Sequence, residues 1–399
     1  MKFYVFILIV VMFSWSCSSN DEEASNSNAA SVCSETSSDA EVYEIFQLGT
    51  TNCNLFCEDK SLSECQTAWE NGEKNLNYQY VAKSWTPLNT VHNKSEVYLY
   101  NFTPVDYENV SISDNNGVFK SSIQIKAWNR IKYQHVVSGD NVTVTIPSSN
   151  NPIMLKFANV KTKWKWAPHN FDPDRTHANW WTNWTGSALR ANYIMNYNMA
   201  NFISTDTFKN VIVNDNITYS GATTTWYDSS WGTYDNNSEI VSRMRDIGAL
   251  FRIGVVNGGQ PSGLGGGDVH GVAPHVLYDH MRSKFWSNNG WNGADIWFHE
   301  FSHCLGFSHS SNMTYAQATP PYDSDIPGKV QTAMVNAYKE DNTDPLFPPG
   351  DGQEGIDCGA ELAGENCPSS RSLYTPKRKL NFADDQIFDF SESTKYPKD

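Results

Sequence analysis

The chain has 399 residues, of which 39% are hydrophobic and 13% aromatic, and its 29 Lys and Arg against 44 Asp and Glu give a formal net charge of -15. Such a length spans roughly two to three domains, and the apolar content supports a sizeable core, which excludes wholesale disorder and a miniprotein held only by disulfides. Acidity on this scale excludes nucleic acid as a partner, because affinity for phosphate comes from clustered Lys and Arg. Beyond the first residues no stretch approaches the ~18 apolar residues of a membrane span.

Taken in chain order, the first segment reads as an address. Lys2, the apolar run Phe3 to Phe13 and the small residues before Cys17 have the layout of a secretory signal over residues 1–16. Cys17 stands where a lipoprotein signal is cut and lipidated, and Ser18-Ser19-Asn20-Asp21-Glu22-Glu23 resembles the acidic surface-export signal of some Gram-negative lipoproteins. The expected location is therefore extracytoplasmic, with membrane contact only through a lipid on Cys17. Residues 17–40, rich in Ser, Asn, Asp, Glu and Ala, read as a solvated tether. Cysteine usage fits an oxidising compartment: Cys358 and Cys367 pair on proximity, while Cys33, Cys53, Cys57 and Cys65 allow three pairings.

Residues 41–160 alternate in short strand-like runs, clearest at 97–100, 122–125, 132–137 and 142–146, separated by turn residues such as Asp114-Asn115-Asn116-Gly117. This spacing predicts a small antiparallel β-sandwich-like domain. From residue 161 to 340 the texture changes. Trp164, Trp166, Trp180, Trp181 and Trp184 crowd together, and core packing is the ordinary role of such rings. Ile240, Val241, Met244, Ile247 and Phe251 follow helical spacing over 238–251, Arg252 to Val256 reads as a strand, and Gly263 to Gly267 reads as a connection into a strand over 269–277. Residues 341–399 form a C-terminal extension.

One segment carries chemistry: His299-Glu300-Phe301-Ser302-His303-Cys304-Leu305-Gly306-Phe307-Ser308-His309. On a helix, His299 and His303 project from one face and can share a tetrahedral zinc. Asn292 as N-cap, Asp295 in the first turn and the stripe Phe298, Phe301, Leu305 make that helix independently plausible. Gly306 provides the positive-φ residue that ends it, and the reversal can bring His309 back as a third ligand. Glu300 can serve as general base without binding the metal. Cys304, one residue past His303, points about 100° away from the metal face and reads as a packed thiol. The remaining histidines, including His270, His275 and His280, show no metal-ligand spacing.

The segment resembles the extended zinc signature of the metzincin clan of metalloproteases, and Phe298 to Ser311 is closest in texture to the matrixins. The resemblance implies an α+β metzincin-like zincin catalytic domain behind the β-sandwich-like domain. It also implies a monomeric, zinc-dependent endopeptidase acting on protein or peptide substrates, with Glu300 as base. It further implies a substrate strand above the active helix, for which the 267–277 stretch is the candidate, and a methionine turn after the third histidine. Ser311-Asn312-Met313-Thr314-Tyr315 resembles the astacin-type Ser-x-Met-x-Tyr pattern, which makes Met313 the turn methionine and Tyr315 a catalytic neighbour of the zinc. Met334 competes, but Val330, Met334 and Tyr338 repeat every four residues after Pro327 and predict a closing helix over 327–339. The rival reading is a surface glycan- or protein-binding lipoprotein with a vestigial zinc site. The Trp cluster and the β region favour it, whereas retention of Glu300 opposes it.

Overall fold

A computed structural model describes residues 41–46, 80–147, 151–168, 186–218, 234–248, 250–256, 263–266, 269–273, 276–277, 294–315, 325–340 and 345–347. The signal, the tether, the six paired-cysteine candidates, Trp180, Trp181, Trp184, His275, His280 and Asn292 lie outside the described residues. Within them the chain is a mixed α+β protein, and no helix is long and apolar enough to cross a membrane.

Alternation builds the first part. Its strands are β1 (Glu41–Glu44), β2 (Ala82–Lys83), β3 (Leu88–His92), β4 (Glu96–Asn101), β5 (Tyr107–Asp114), β6 (Gly117–Ile125), β7 (Asn129–Gln134) and β8 (Thr143–Thr145). They form an antiparallel sheet ordered β1-β7-β4-β3 and a second one ordered β6-β5-β8. Between the two sheets lie Leu88, Val97, Leu99, Val110, Ile112, Ile123, Ile125 and Ile131, which form one apolar cluster. Successive side chains of a strand point to opposite faces, so Tyr98 and Tyr100 of β4 and Arg130 of β7 stand on the other face of the first sheet. There the Arg130 guanidinium lies over the rings of Tyr43, Tyr98 and Tyr100, 5.1 to 5.9 Å from their centroids. β7 ends at Gln134, short of the expected 137; the ring of His135 instead meets the carboxylate of Asp114 at 3.0 Å.

That outer face does not meet solvent alone. Tyr100, Phe102, Trp128, Phe46 and Tyr80 join a second, larger cluster with residues far beyond position 160, and Tyr193 packs 5.0 Å from Phe46 and 5.4 Å from Phe102 between ring centroids. One sheet is thus the wall between two cores.

The second part contains α1 (Pro152–Ala158), β9 (Lys165–Pro168), α2 (Gly186–Ile203), α3 (Asp206–Val213), α4 (Asn237–Arg245), β10 (Leu250–Val255), β11 (Gly263–Gly266), β12 (Val269–Val272), α5 (Ala294–Cys304) and α6 (Ile326–Glu340). β9, β10 and β12 are parallel, β11 closes one edge antiparallel, and β2 from the first part closes the other. Trp164 and Trp166 are fully buried in this core, so neither is a solvent-facing sugar platform.

Three expectations are corrected here. The helix expected over 238–251 stops at Arg245; Gly248, at φ +71°, lies between it and β10, and Phe251 belongs to that strand. Gly263–Gly266 of the glycine run form a strand, not a connection. The strand expected over 269–277 ends at Val272 and is paired on both sides, so among the described residues the edge of this sheet next to α5 is β11 and not β12.

Candidate metal centre

The centre is built on α5 and the turns that follow it. Trp297, Phe301 and Cys304 recur at helical spacing and face the sheet: Trp297 stacks on Trp164 at 5.5 Å, Phe301 packs against Phe251 at 6.0 Å, and the Cys304 Sγ reaches the Val269 carbonyl at 3.4 Å. Cys304 is a buried thiol on the side away from the histidines. His299 and His303 occupy the opposite face, half-buried and one turn apart.

Gly306 ends the helix at φ +92°. The Phe307 N–H returns to the Ser302 carbonyl at 3.1 Å and the Gly306 N–H to the His303 carbonyl at 3.0 Å, the paired bonds of a glycine C-cap. This reversal brings His309 back, and its ring centroid lies 4.7 Å from that of His303 and 5.6 Å from that of His299. One nitrogen from each of the three rings falls within 4.8 Å of the others.

Tautomers follow from the carbonyl partners. The Nδ1 of His299 meets the Thr314 carbonyl at 2.6 Å and the Nδ1 of His303 meets the Phe307 carbonyl at 2.7 Å. A carbonyl only accepts, so both Nδ1 atoms carry hydrogen and, in the neutral rings, both Nε2 atoms carry lone pairs. Those Nε2 atoms face each other at 3.0 Å. Two neutral acceptors at this distance repel unless a cation lies between them, and two nitrogens on one tetrahedral zinc stand roughly 3.3 Å apart. Burial, reinforced by the neighbouring His303, holds His299 down at about 4, and burial also lowers His303. The neutral, ligating form is therefore the one present at neutral pH. Two neutral imidazoles whose far nitrogens are pinned by carbonyls, with the His309 ring beside them, are a donor set that fits zinc.

Glu300 lies under β11. A Cβ on Gly263 would stand 2.6 Å from the Glu300 Cγ and Oε1, and one on Gly265 would stand 2.1 Å from the Glu300 carbonyl oxygen. Only a strand without side chains at these two positions fits over the helix at Glu300. The carboxyl group is buried, and that burial pushes it up to about 8, a value that a nearby cation would bring down.

Met313 is fully buried in a turn held by the Met313 N–H to Ser311 Oγ bond at 3.2 Å and the Thr314 N–H to Ser311 carbonyl bond at 3.1 Å. Thr314, next to Met313, supplies the carbonyl that orients His299. Met334 sits on the closing helix α6 and is fully buried. Tyr315 is exposed, as is His309, and its ring lies 4.4 Å from His299 and 4.8 Å from His309 between centroids. His270 is elsewhere: it is buried among Phe251, Trp297 and Phe301, and burial holds it at about 3.

Sequence reasoning missed two contributors. The glycines of β11 carried no apolar signal, and Tyr234 sits alone beside a polar stretch. The hydroxyl of Tyr234 donates to the Leu305 carbonyl at 2.7 Å, and its ring stacks on Phe307 at 5.2 Å and 9°.

No family model, no curated protein and no solved structure matches the chain.

Proposed function

We propose that the chain is a zinc-dependent endopeptidase acting outside the cytoplasm on protein or peptide substrates. The observation that carries this reading is the pair of facing Nε2 lone pairs at 3.0 Å, joined by His309 and followed directly by a buried carboxyl group. His299, His303 and His309 would hold the metal as neutral ligands. When bound, zinc supplies Lewis acidity towards a peptide carbonyl and makes hydroxide accessible near neutral pH. Glu300 takes the proton of the attacking water and passes it to the leaving amine, a role that needs a carboxylate close to the metal but outside its ligand set. The backbone of β11 covers Glu300 and keeps bulk water from that side of the carboxyl group. Tyr315, a neutral donor beside His299 and His309, serves the developing oxyanion. The metzincin resemblance and the lipoprotein-like N-terminus support the same reading, with Cys17 as the anchor.

Incubation of the purified chain with a diverse peptide library, with and without a chelator, tests it. Internal cleavage that is abolished by the chelator and restored by zinc is expected. Glu300→Ala should keep zinc and lose at least 100-fold in turnover, the low end for general-base catalysis. Unchanged cleavage in that variant, or no cleavage by the zinc-loaded chain, contradicts the proposal.

A further inference from the structure

The turn between the second and third histidines is held from outside the motif. After a helix ends, its last carbonyls lack intrahelical donors. In α5 the glycine C-cap uses the Ser302 and His303 carbonyls, and the Leu305 carbonyl accepts instead from the hydroxyl of Tyr234 at 2.7 Å. The same tyrosine ring lies nearly parallel to Phe307, 5.2 Å away. Phe307 in turn provides the carbonyl that meets His303 Nδ1 at 2.7 Å. Tyr234 is itself fixed: the Arg243 guanidinium lies 5.5 Å over its ring and pairs with Glu239, whose N–H is capped by Asn236.

We infer that Tyr234 is a positioning residue of the metal centre, setting the 305–307 turn and through it the orientation of His303 and the approach of His309. This inference rests on the three histidines being a zinc site. Groups that orient metal-binding histidines typically contribute 10- to 100-fold to affinity.

The test compares zinc affinity, by competition with a chromophoric chelator, and the cobalt(II) absorption spectrum in four full-length proteins: wild type, Tyr234→Phe, Phe307→Leu and Tyr193→Phe. Tyr193→Phe is the control because it also removes a buried hydroxyl-to-carbonyl bond, from Tyr193 to Tyr80 at 2.6 Å, but one remote from the histidines. Tyr234→Phe is expected to weaken zinc about 10-fold and shift the cobalt bands, because the ligand geometry relaxes. Phe307→Leu, which removes the stack but keeps apolar volume, should act in the same direction. Tyr193→Phe should match wild type in both readouts. Wild-type affinity and spectrum in both Tyr234→Phe and Phe307→Leu overturn the inference alone, as does an equal loss in Tyr193→Phe. A wild-type chain that takes up no zinc overturns the underlying metal reading as well.

Discussion

The β-sandwich part and the part that carries the three histidines are both closed by buried apolar residues, yet they use them differently. Between the two antiparallel sheets, Val97, Leu99, Ile112 and Ile125 only fill space, and each is supported by neighbours on both sheets. Around α5, Trp297 and Phe301 fill space and also fix the rotation of the helix that carries His299 and His303. A core can therefore be a foundation or an aiming device. The wall of tyrosines on β4 joins the two without making them equivalent.

Trp297→Ala separates the two uses most sharply. Loss of a buried indole costs about 3–5 kcal/mol, and here it should also weaken zinc binding because the helix loses its backing. Leu99→Ala removes a fully buried side chain of the sandwich and costs about 2–5 kcal/mol. Thermal unfolding should register both variants, while zinc affinity below the transition should change only for Trp297→Ala. Equal zinc affinity in the two proteins would erase the distinction.

Gly263→Ala probes the contact between β11 and the glutamate. Its Cβ would meet Glu300 at 2.6 Å, an overpacking of about 1–3 kcal/mol. Pairing it with Glu300→Asp, one methylene shorter, should return part of that stability. A double variant no more stable than Gly263→Ala would show that the strain lies elsewhere.

Legibility followed the same division. The sandwich strands were readable because alternation reports a sheet whose faces differ, as in Val97-Tyr98-Leu99-Tyr100. The histidine helix was readable because spacing, not packing, defines it. α2 was not readable: it is buried almost all round and carries Asn192, Asn196 and Asn198 inward, so it has no polar stripe. Those amides have structural partners, Asn192 with the Gly254 carbonyl, Asn196 with the Trp297 indole and Asn198 with both backbone groups of Phe347. Partners so distant in sequence leave no local mark. Ile247 and Phe251 misled for the opposite reason, because their spacing continues the period of α4 across a turn that Gly248 makes. Tyr234 is likewise invisible alone, since its role exists only once the C-cap of α5 is formed.

The central claim is that His299, His303 and His309 together hold one zinc. Its most direct test is metal content per chain, measured after equilibration with zinc and removal of the excess, for wild type and for His303→Ala. One zinc per wild-type chain and less than about a tenth of that in the variant is the result the neutral three-imidazole site predicts. No zinc in the wild type, or equal zinc in both proteins, would contradict it.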